Sequence, residues 1–374
     1  MDKKGQIRRM FPGGNTTAGF VSCFQYMIGP NANRIFILKG GPGTGKSTFM
    51  MSISQELMDR GYDAEYHHCP TDPDSLDGLV IPALKVALMD GTAPHINDPK
   101  NPGAVDEIIS LGEYWEEKAI IRHKNEIVST NQKVGRLFQI AFSLLRQSRA
   151  AYEEWESYVQ KTVNRAEAYR VLGSLRENVL GDKTVANGNA PKSRHLFGSA
   201  ITPRGVVDYR ETLLRESSRI FFIKGQPGTG VRQMIAGIAR SAEELGLFTE
   251  QYHCPYEPEK DKLDMLLIPG IQTAVVNNSP PCPFGLGNPE GIRPVAEIDL
   301  DDCIQRGRRE EYEPERADAE ARSSDLLQKA VDHLARAKSA HDEIEGFYIQ
   351  AMDFDRVRQK RDEVLHKILQ YQHG

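Results

Sequence analysis

Short apolar runs closed by glycine-rich or polar turns alternate with stretches whose apolar residues recur at helical spacing, and this alternation dominates the first part of the chain. The run from Arg34 to Leu38 (RIFIL) reads as a buried strand. A glycine-rich turn follows, and Ser47 to Arg60 keeps helical spacing up to the break at Gly61. Asp63 to His68 and Lys85 to Met89 read as further strands. Strands alternating with helices predict an α/β fold with a parallel sheet covered on both faces. From Gly103 to Ala190 there is no proline, and Ile120, Ile127, Val134, Phe138, Ala141, Leu145, Tyr152, Trp155 and Val159 recur at close to seven-residue spacing. That pattern predicts long helices packed side by side in coiled-coil fashion. The tail from Glu315 to Gly374 also lacks proline.

The chain contains itself twice. Arg34 to Gly45 (RIFILKGGPGTG) and Arg219 to Gly230 (RIFFIKGQPGTG) are identical at nine of twelve positions. Phe11, Thr16 and Gly19 are answered by Phe197, Thr202 and Gly205, and His68-Cys69-Pro70 by His253-Cys254-Pro255. Leu79 to Pro82 is answered by Leu266 to Pro269, and Ala151 to Tyr158 by Ala340 to Phe347. The expected organisation is therefore two tandem α/β domains of one kind, each with a parallel sheet and a helical extension. The first spans 1–180, with a helical extension over 104–180. A polar linker covers 181–192, and the second domain spans 193–374, with its extension over 315–374. The extensions read as amphipathic scaffolds that cover a sheet or hold a homo-oligomer together.

Gly40-Gly41-Pro42-Gly43-Thr44-Gly45-Lys46-Ser47 fits G-x-x-x-x-G-K-[ST] between a strand and a helix. Glycines let successive N–H groups converge on phosphate oxygens, and the helix that follows directs its positive end to the same place. Lys46 is expected to reach the β and γ phosphates, and the Ser47 hydroxyl to ligate magnesium; Thr48 adjoins them. Asp90, after the apolar stretch Val86 to Met89, is the candidate carboxylate for the same magnesium ion. Gly91 follows it, so no glutamate stands beside it to orient water, and His95, Asp72, Asp74 and Asp77 are the substitutes in that region.

In the second copy Lys46 becomes Val231, Ser47 becomes Arg232 and Asp90 becomes Asn277, so the phosphate charge partner and both metal-directed groups vanish together. This copy reads as a degenerate partner, either structural or supplying an arginine to the first site from among Arg204, Arg215, Arg219 and Arg232. Asp72, Asp77, His68 and Cys69 are kept as Glu257, Asp264, His253 and Cys254, while His95 is replaced by Cys282. A zinc site built from His68, Cys69 and His95 is conceivable on that basis, but adjacent strand residues face opposite ways, and a buried cysteine beside a loop histidine is the preferred reading.

Composition adds exclusions. With 47 basic and 52 acidic residues among 374, a net charge of -5 and 39% hydrophobic residues, more than one core is expected and an unbroken basic surface for nucleic acid is not. Five scattered cysteines point to a reducing compartment, and no apolar run approaches the roughly 20 residues of a membrane span, so a cytoplasmic location is expected.

At GGPGTGKST the first copy resembles AAA-like and helicase-like P-loop ATPases. With Tyr66 to Pro70, Asp72-Pro73, Ser75 to Gly78 and Asp90 to His95 added, the whole chain resembles a family of uncharacterised bacterial tandem P-loop ATPases. The resemblance implies ATP and magnesium as ligands and ATPase activity, with no known substrate or partner. A small-molecule kinase and an ATP-sensing binding module stay open as alternatives.

Overall fold

The computed structural model describes residues 4–92, 98–181, 193–279, 292–305, 307 and 310–373. The first repeat contains β1 (Ile7–Met10), β2 (Gly13–Thr16), β3 (Gly19–Ser22), β4 (Arg34–Lys39), α1 (Lys46–Asp59), β5 (Ala64–His68), β6 (Leu76–Ile81), β7 (Val86–Asp90) and β8 (Asp106–Ser110). Helices α2 (Glu117–Arg122), α3 (Lys124–Gln160) and α4 (Arg165–Leu180) follow. The second repeat contains β9 (Ser193–Phe197), β10 (Ser199–Thr202), β11 (Gly205–Asp208), α5 (Arg210–Leu213), β12 (Arg219–Lys224), α6 (Val231–Glu244), β13 (Thr249–His253), β14 (Leu263–Ile268), β15 (Thr273–Asn277) and β16 (Ala296–Asp299). It ends in α7 (Glu313–Ala351) and α8 (Phe354–Leu369).

Each repeat builds a six-stranded sheet with the same order, β1-β5-β6-β7-β4-β8 in the first and β9-β13-β14-β15-β12-β16 in the second. The sheets are mixed, which corrects the expectation of a parallel one. β4 pairs in parallel with β7 and β8, and β1 with β5, but β6 is antiparallel to both of its neighbours. The cause is connection length. Only a tight turn, Pro82–Leu84 with Lys85 at φ 52°, separates β6 from β7, and a connection that short can join only antiparallel strands. Pro269–Ile271 with Gln272 at φ 48° repeats the device between β14 and β15.

The chain folds as two compact units. One comprises Met1–Gly13, Ser22–Ile140 and Asp332–Gly374; the other comprises Gly14–Val21 and Ala141–Val331. In the first, Phe49, Met50, Ile53 and Leu57 of α1 and Val357, Val364, Leu365 and Ile368 of α8 pack on one face of the sheet, against Phe36, Leu79 and Leu88. Alternate strand residues Val80, Ala87 and Met89 meet Phe24 and Met27 on the opposite face. In the second unit, Ile235 and Ile238 of α6 share a core with Leu175, Val179 and Leu180 of α4, against Phe221, Leu266 and Val275.

The helical extensions therefore do not divide as the boundaries 1–180 and 193–374 predict. α4, which follows the first repeat, completes the core of the second sheet, and α8, which follows the second repeat, completes that of the first. Both are covering scaffolds. The seven-residue pattern runs through α3, where Ile127, Ala141, Leu145, Tyr152, Trp155 and Val159 are buried, but the helix starts after a break at His123, leaving Ile120 in α2. Among the described residues, no helix is long and apolar enough to cross a membrane.

Candidate phosphate-loop site

The first loop connects the end of β4 to α1, and its geometry follows from its glycines. Gly43 lies at φ 68° and Gly45 at φ 84°, left-handed conformations that side-chain-bearing residues rarely adopt. Thr44 Oγ1 donates to Gly41 O at 2.9 Å and closes the turn internally. The loop runs directly into the N-terminus of α1, with Gly45 as the residue before its first turn. The second loop has the same conformation, with Gly228 at φ 93°, Gly230 at φ 94° and Thr229 Oγ1 donating to Gln226 O at 2.7 Å.

Each loop is backed by a long helix. A Cβ on Gly43 would come within 2.7 Å of Glu345 O, and one on Gly41 within 2.8 Å of the Tyr348 ring. In the second unit, a Cβ on Gly228 would come within 2.5 Å of Glu156 O. Glu345 and Glu156 are matched residues of α7 and α3, so the same helix-on-loop contact is built twice.

The side chains differ. In the first unit, Lys46 Nζ donates to Gly41 O at 2.9 Å and Gly40 O at 3.2 Å, and lies 3.6 Å from Asp90 Oδ2. Asp90 belongs to β7, beside the loop strand, with Leu38 and Asp90 in register. Its Oδ1 accepts Thr92 N–H at 2.8 Å, so this aspartate serves as a turn residue with one oxygen and faces the loop lysine with the other. Ser47 Oγ accepts Leu76 N–H at 2.9 Å, which brings the first turn of α1 to the start of β6, next to Asp77. Thr48 is exposed on the same turn.

Of the substitute carboxylates, Asp74 is exposed and Asp77 is buried. Burial, and then the charge of Asp90, push the Asp77 carboxyl well above the usual range, against the opposing pull of a hydrogen bond from Cys69 and the charge of Lys46. Asp72 is only partly covered, and Lys338 Nζ of α7 lies 3.4 Å from it. His95 lies outside the described residues.

The zinc reading does not survive in the geometry. His68 Nδ1 meets Pro73 O at 2.7 Å, and its Nε2 meets the Arg9 guanidinium at 3.0 Å. Because a guanidinium only donates, Nε2 must be the acceptor, and both ring nitrogens are engaged. The Cys69 thiol is directed at Asp77 instead. His68 and Cys69 therefore do not converge, and Cys282 of the second copy lies outside the described residues.

In the second unit, a guanidinium stands at the position of Ser47. Arg232 Nε donates to Asp264 Oδ1 at 2.8 Å, and its Nη1 donates to Glu257 Oε2 at 2.7 Å and to Tyr152 Oη at 2.9 Å. Asn277 Nδ2 donates to Asp264 Oδ1 at 2.7 Å, and Asn277 Oδ1 accepts Ser279 N–H at 2.9 Å. The loop N–H of Gln226 is given to Asp301 Oδ1 at 2.8 Å. Arg232 is thus tied within its own unit, and Arg219 donates to the backbone oxygens of Asn178 and Val179. Unit 1 instead takes from the chain's C-terminal part the amine of Lys338, whose position toward Asp72 repeats that of Arg149, 2.8 Å from Glu257.

The donor set of the first loop fits magnesium, since a hydroxyl and carboxylates are hard oxygen ligands. Its glycine conformations fit a phosphate chain. No family model, no curated protein and no solved structure matches the chain. Its two repeats, set against each other, are therefore the comparison that bears on function.

Proposed function

We propose that the chain binds ATP with magnesium at Gly40–Thr48 and hydrolyses it slowly, and that its second repeat binds no nucleotide. The observation that carries this reading is the contrast between two loops of one conformation: at the first, Lys46 faces Asp90 and Ser47 follows it on α1, whereas at the second Arg232 is held by Asp264 and Glu257. In the first, the Lys46 ammonium exchanges the loop carbonyls for phosphate oxygens and offsets the charge that grows on the transferred group. Ser47 and Asp90 hold magnesium, which when bound screens the β and γ phosphates. Gly91 occupies the place where a glutamate could align water, which is why the expected turnover is slow.

Phosphate release from γ-labelled ATP in the presence of magnesium, without added substrate, tests the activity. Steady release that Asp90→Asn abolishes supports the reading. Label that appears on a metabolite from cell extract, with no free phosphate, favours a kinase and contradicts it.

A further inference from the structure

The edge of the second sheet carries a hydroxyl and two imidazoles where that of the first carries an alkyl chain, a guanidinium and one imidazole. β9 and β1 are matched edge strands, and Ser193, His195 and His253 stand at the positions of Ile7, Arg9 and His68. Ser193 and His195 are two residues apart on β9 and so lie on one face of it. β9 pairs in parallel with β13, His195 opposite Gln251 and Phe197 opposite His253, which puts His253 diagonally beside His195 on that face. The three side chains meet in a line. Ser193 Oγ lies 3.0 Å from His195 Nε2, and His195 Nδ1 lies 2.9 Å from His253 Nε2, with the two rings stacked at 22°.

The direction of the protons follows from the first repeat. There Arg9 meets His68 Nε2 from the matched position, and a guanidinium only donates, so Nε2 accepts. The proton of His68 is then on Nδ1, and Pro73 O receives it at 2.7 Å. His253 is turned the same way, with Nε2 toward β9 and the Glu259 backbone beside it. Its Nε2 therefore accepts from His195 Nδ1, and His195 Nε2 is left as the acceptor for the Ser193 hydroxyl. Hydroxyl, base and orienting group in that order are what activates a serine. Burial is the largest influence on His195 and holds its imidazole below the ordinary value; the Glu243 carboxylate of α6 opposes it and the Lys260 ammonium adds to it. His195 is thus neutral at pH 7 and able to take a proton.

We infer that Ser193 is a nucleophile with His195 as its general base, and that the second repeat transfers acyl groups from activated esters to water. Ser193 Oγ adds to the ester carbonyl carbon while its proton passes to His195 Nε2, and the carbonyl π pair moves onto oxygen. When that pair returns, the alcohol leaves with the proton from His195, and an acyl group stays on Ser193. Water, giving its proton to His195, attacks the acyl carbon, releases the acid and expels Ser193 Oγ, which recovers the proton. The Lys260 ammonium, which acts on both histidines, is the positive charge at hand for the transient oxyanion. His253 is a positioning residue. Because it is an imidazole and not a carboxylate, it stabilises the His195 imidazolium less, which restricts the reaction to esters with good leaving groups. Ser193 and His195 are both partly exposed, so an ester reaches them from solvent. No nucleotide enters this chemistry, which stands apart from the proposed function.

The test treats the full-length chain with a fluorophosphonate probe, maps the adduct by mass spectrometry and follows hydrolysis of p-nitrophenyl acetate. The adduct is expected on Ser193, and ester hydrolysis is expected to fall at least about hundredfold in Ser193→Ala and in His195→Gln. Labelling of the wild type should rise with pH through one ionisation below about 6.5, the sign of a base that acts in its neutral form. That step should be missing in His195→Gln. His195→Arg guards against a misfolded loss variant, since the first repeat holds an arginine at the matched place. It is expected to melt as the wild type does and to lose the adduct. A wild type without an adduct on Ser193, an adduct retained in His195→Arg, or a pH step that persists in His195→Gln overturns the inference.

Discussion

Arg232 is the residue on which the second repeat turns. Its guanidinium is buried between Asp264 and Glu257, and removing one partner of a buried ion pair leaves charge without compensation. Arg232→Ala is expected to lower stability by about 3–5 kcal/mol in denaturant unfolding; a loss under about 1 kcal/mol would mean that the cluster is solvated. Histidines set a second residue-scale expectation. Burial first, with the Arg9 guanidinium second for His68 and the His195 imidazole second for His253, holds both down at about 4. A histidine whose folded pKa is depressed stays neutral in the fold while the unfolded chain takes up protons, so stability falls as pH drops from about 6.5 to about 4. Unfolding midpoints measured from pH 7 to pH 4.5 should decline, and less steeply for His68→Gln. Parallel profiles for the two proteins would remove this histidine from the explanation. The loop pattern, which names residue types at fixed spacing, nominated Lys46 and Ser47, and the apolar stretch before it nominated Asp90; the fold brings Lys46 Nζ to 3.6 Å from Asp90 Oδ2. The setting of Asp77 was not legible, since it depends on Ser47 meeting Leu76 across the fold.

Among the elements, strands β4, β5 and β7 and helix α1 were legible from apolar runs and helical spacing. β6 (LDGLVI) was not, because a glycine and an aspartate interrupt it and direction is set by the turns at its ends. β1 (IRRM) and β8 (DEIIS) are short and charged, and strand character comes to them from parallel pairing with β5 and β4. The contact of loop and helix is the element-scale feature with the sharpest consequence. At Gly43 and Gly228 a methyl group meets both a left-handed backbone and a helix carbonyl that cannot rotate away. Gly228→Ala is expected to cost about 1–3 kcal/mol of stability from backbone strain, before the contact with Glu156 O is added. A denaturant midpoint equal to that of the wild type would show that α3 yields at that point.

For the whole molecule, the consequence concerns how the chain is divided. Period and proline content made the long helices legible but not the sheet that each one covers, because an amphipathic face fits any apolar surface of the right width. α4 completes the second core and α8 the first, so neither repeat carries its own cover. A chain cut within 182–192 is accordingly expected to give a first half that lacks Val357, Val364, Leu365 and Ile368 from its core and does not fold cooperatively alone. Circular dichroism melts of the separate halves and of their mixture check this: a sharp transition for the mixture only is expected, and a sharp transition for the first half alone contradicts it. The central claim is that one of two loops of the same shape takes nucleotide. Isothermal titration of the full-length protein with magnesium-ATP, beside Lys46→Ala, measures it most directly. One ATP per chain, weakened at least about tenfold by Lys46→Ala, is the predicted result; two per chain, or binding that survives loss of the lysine, would contradict it.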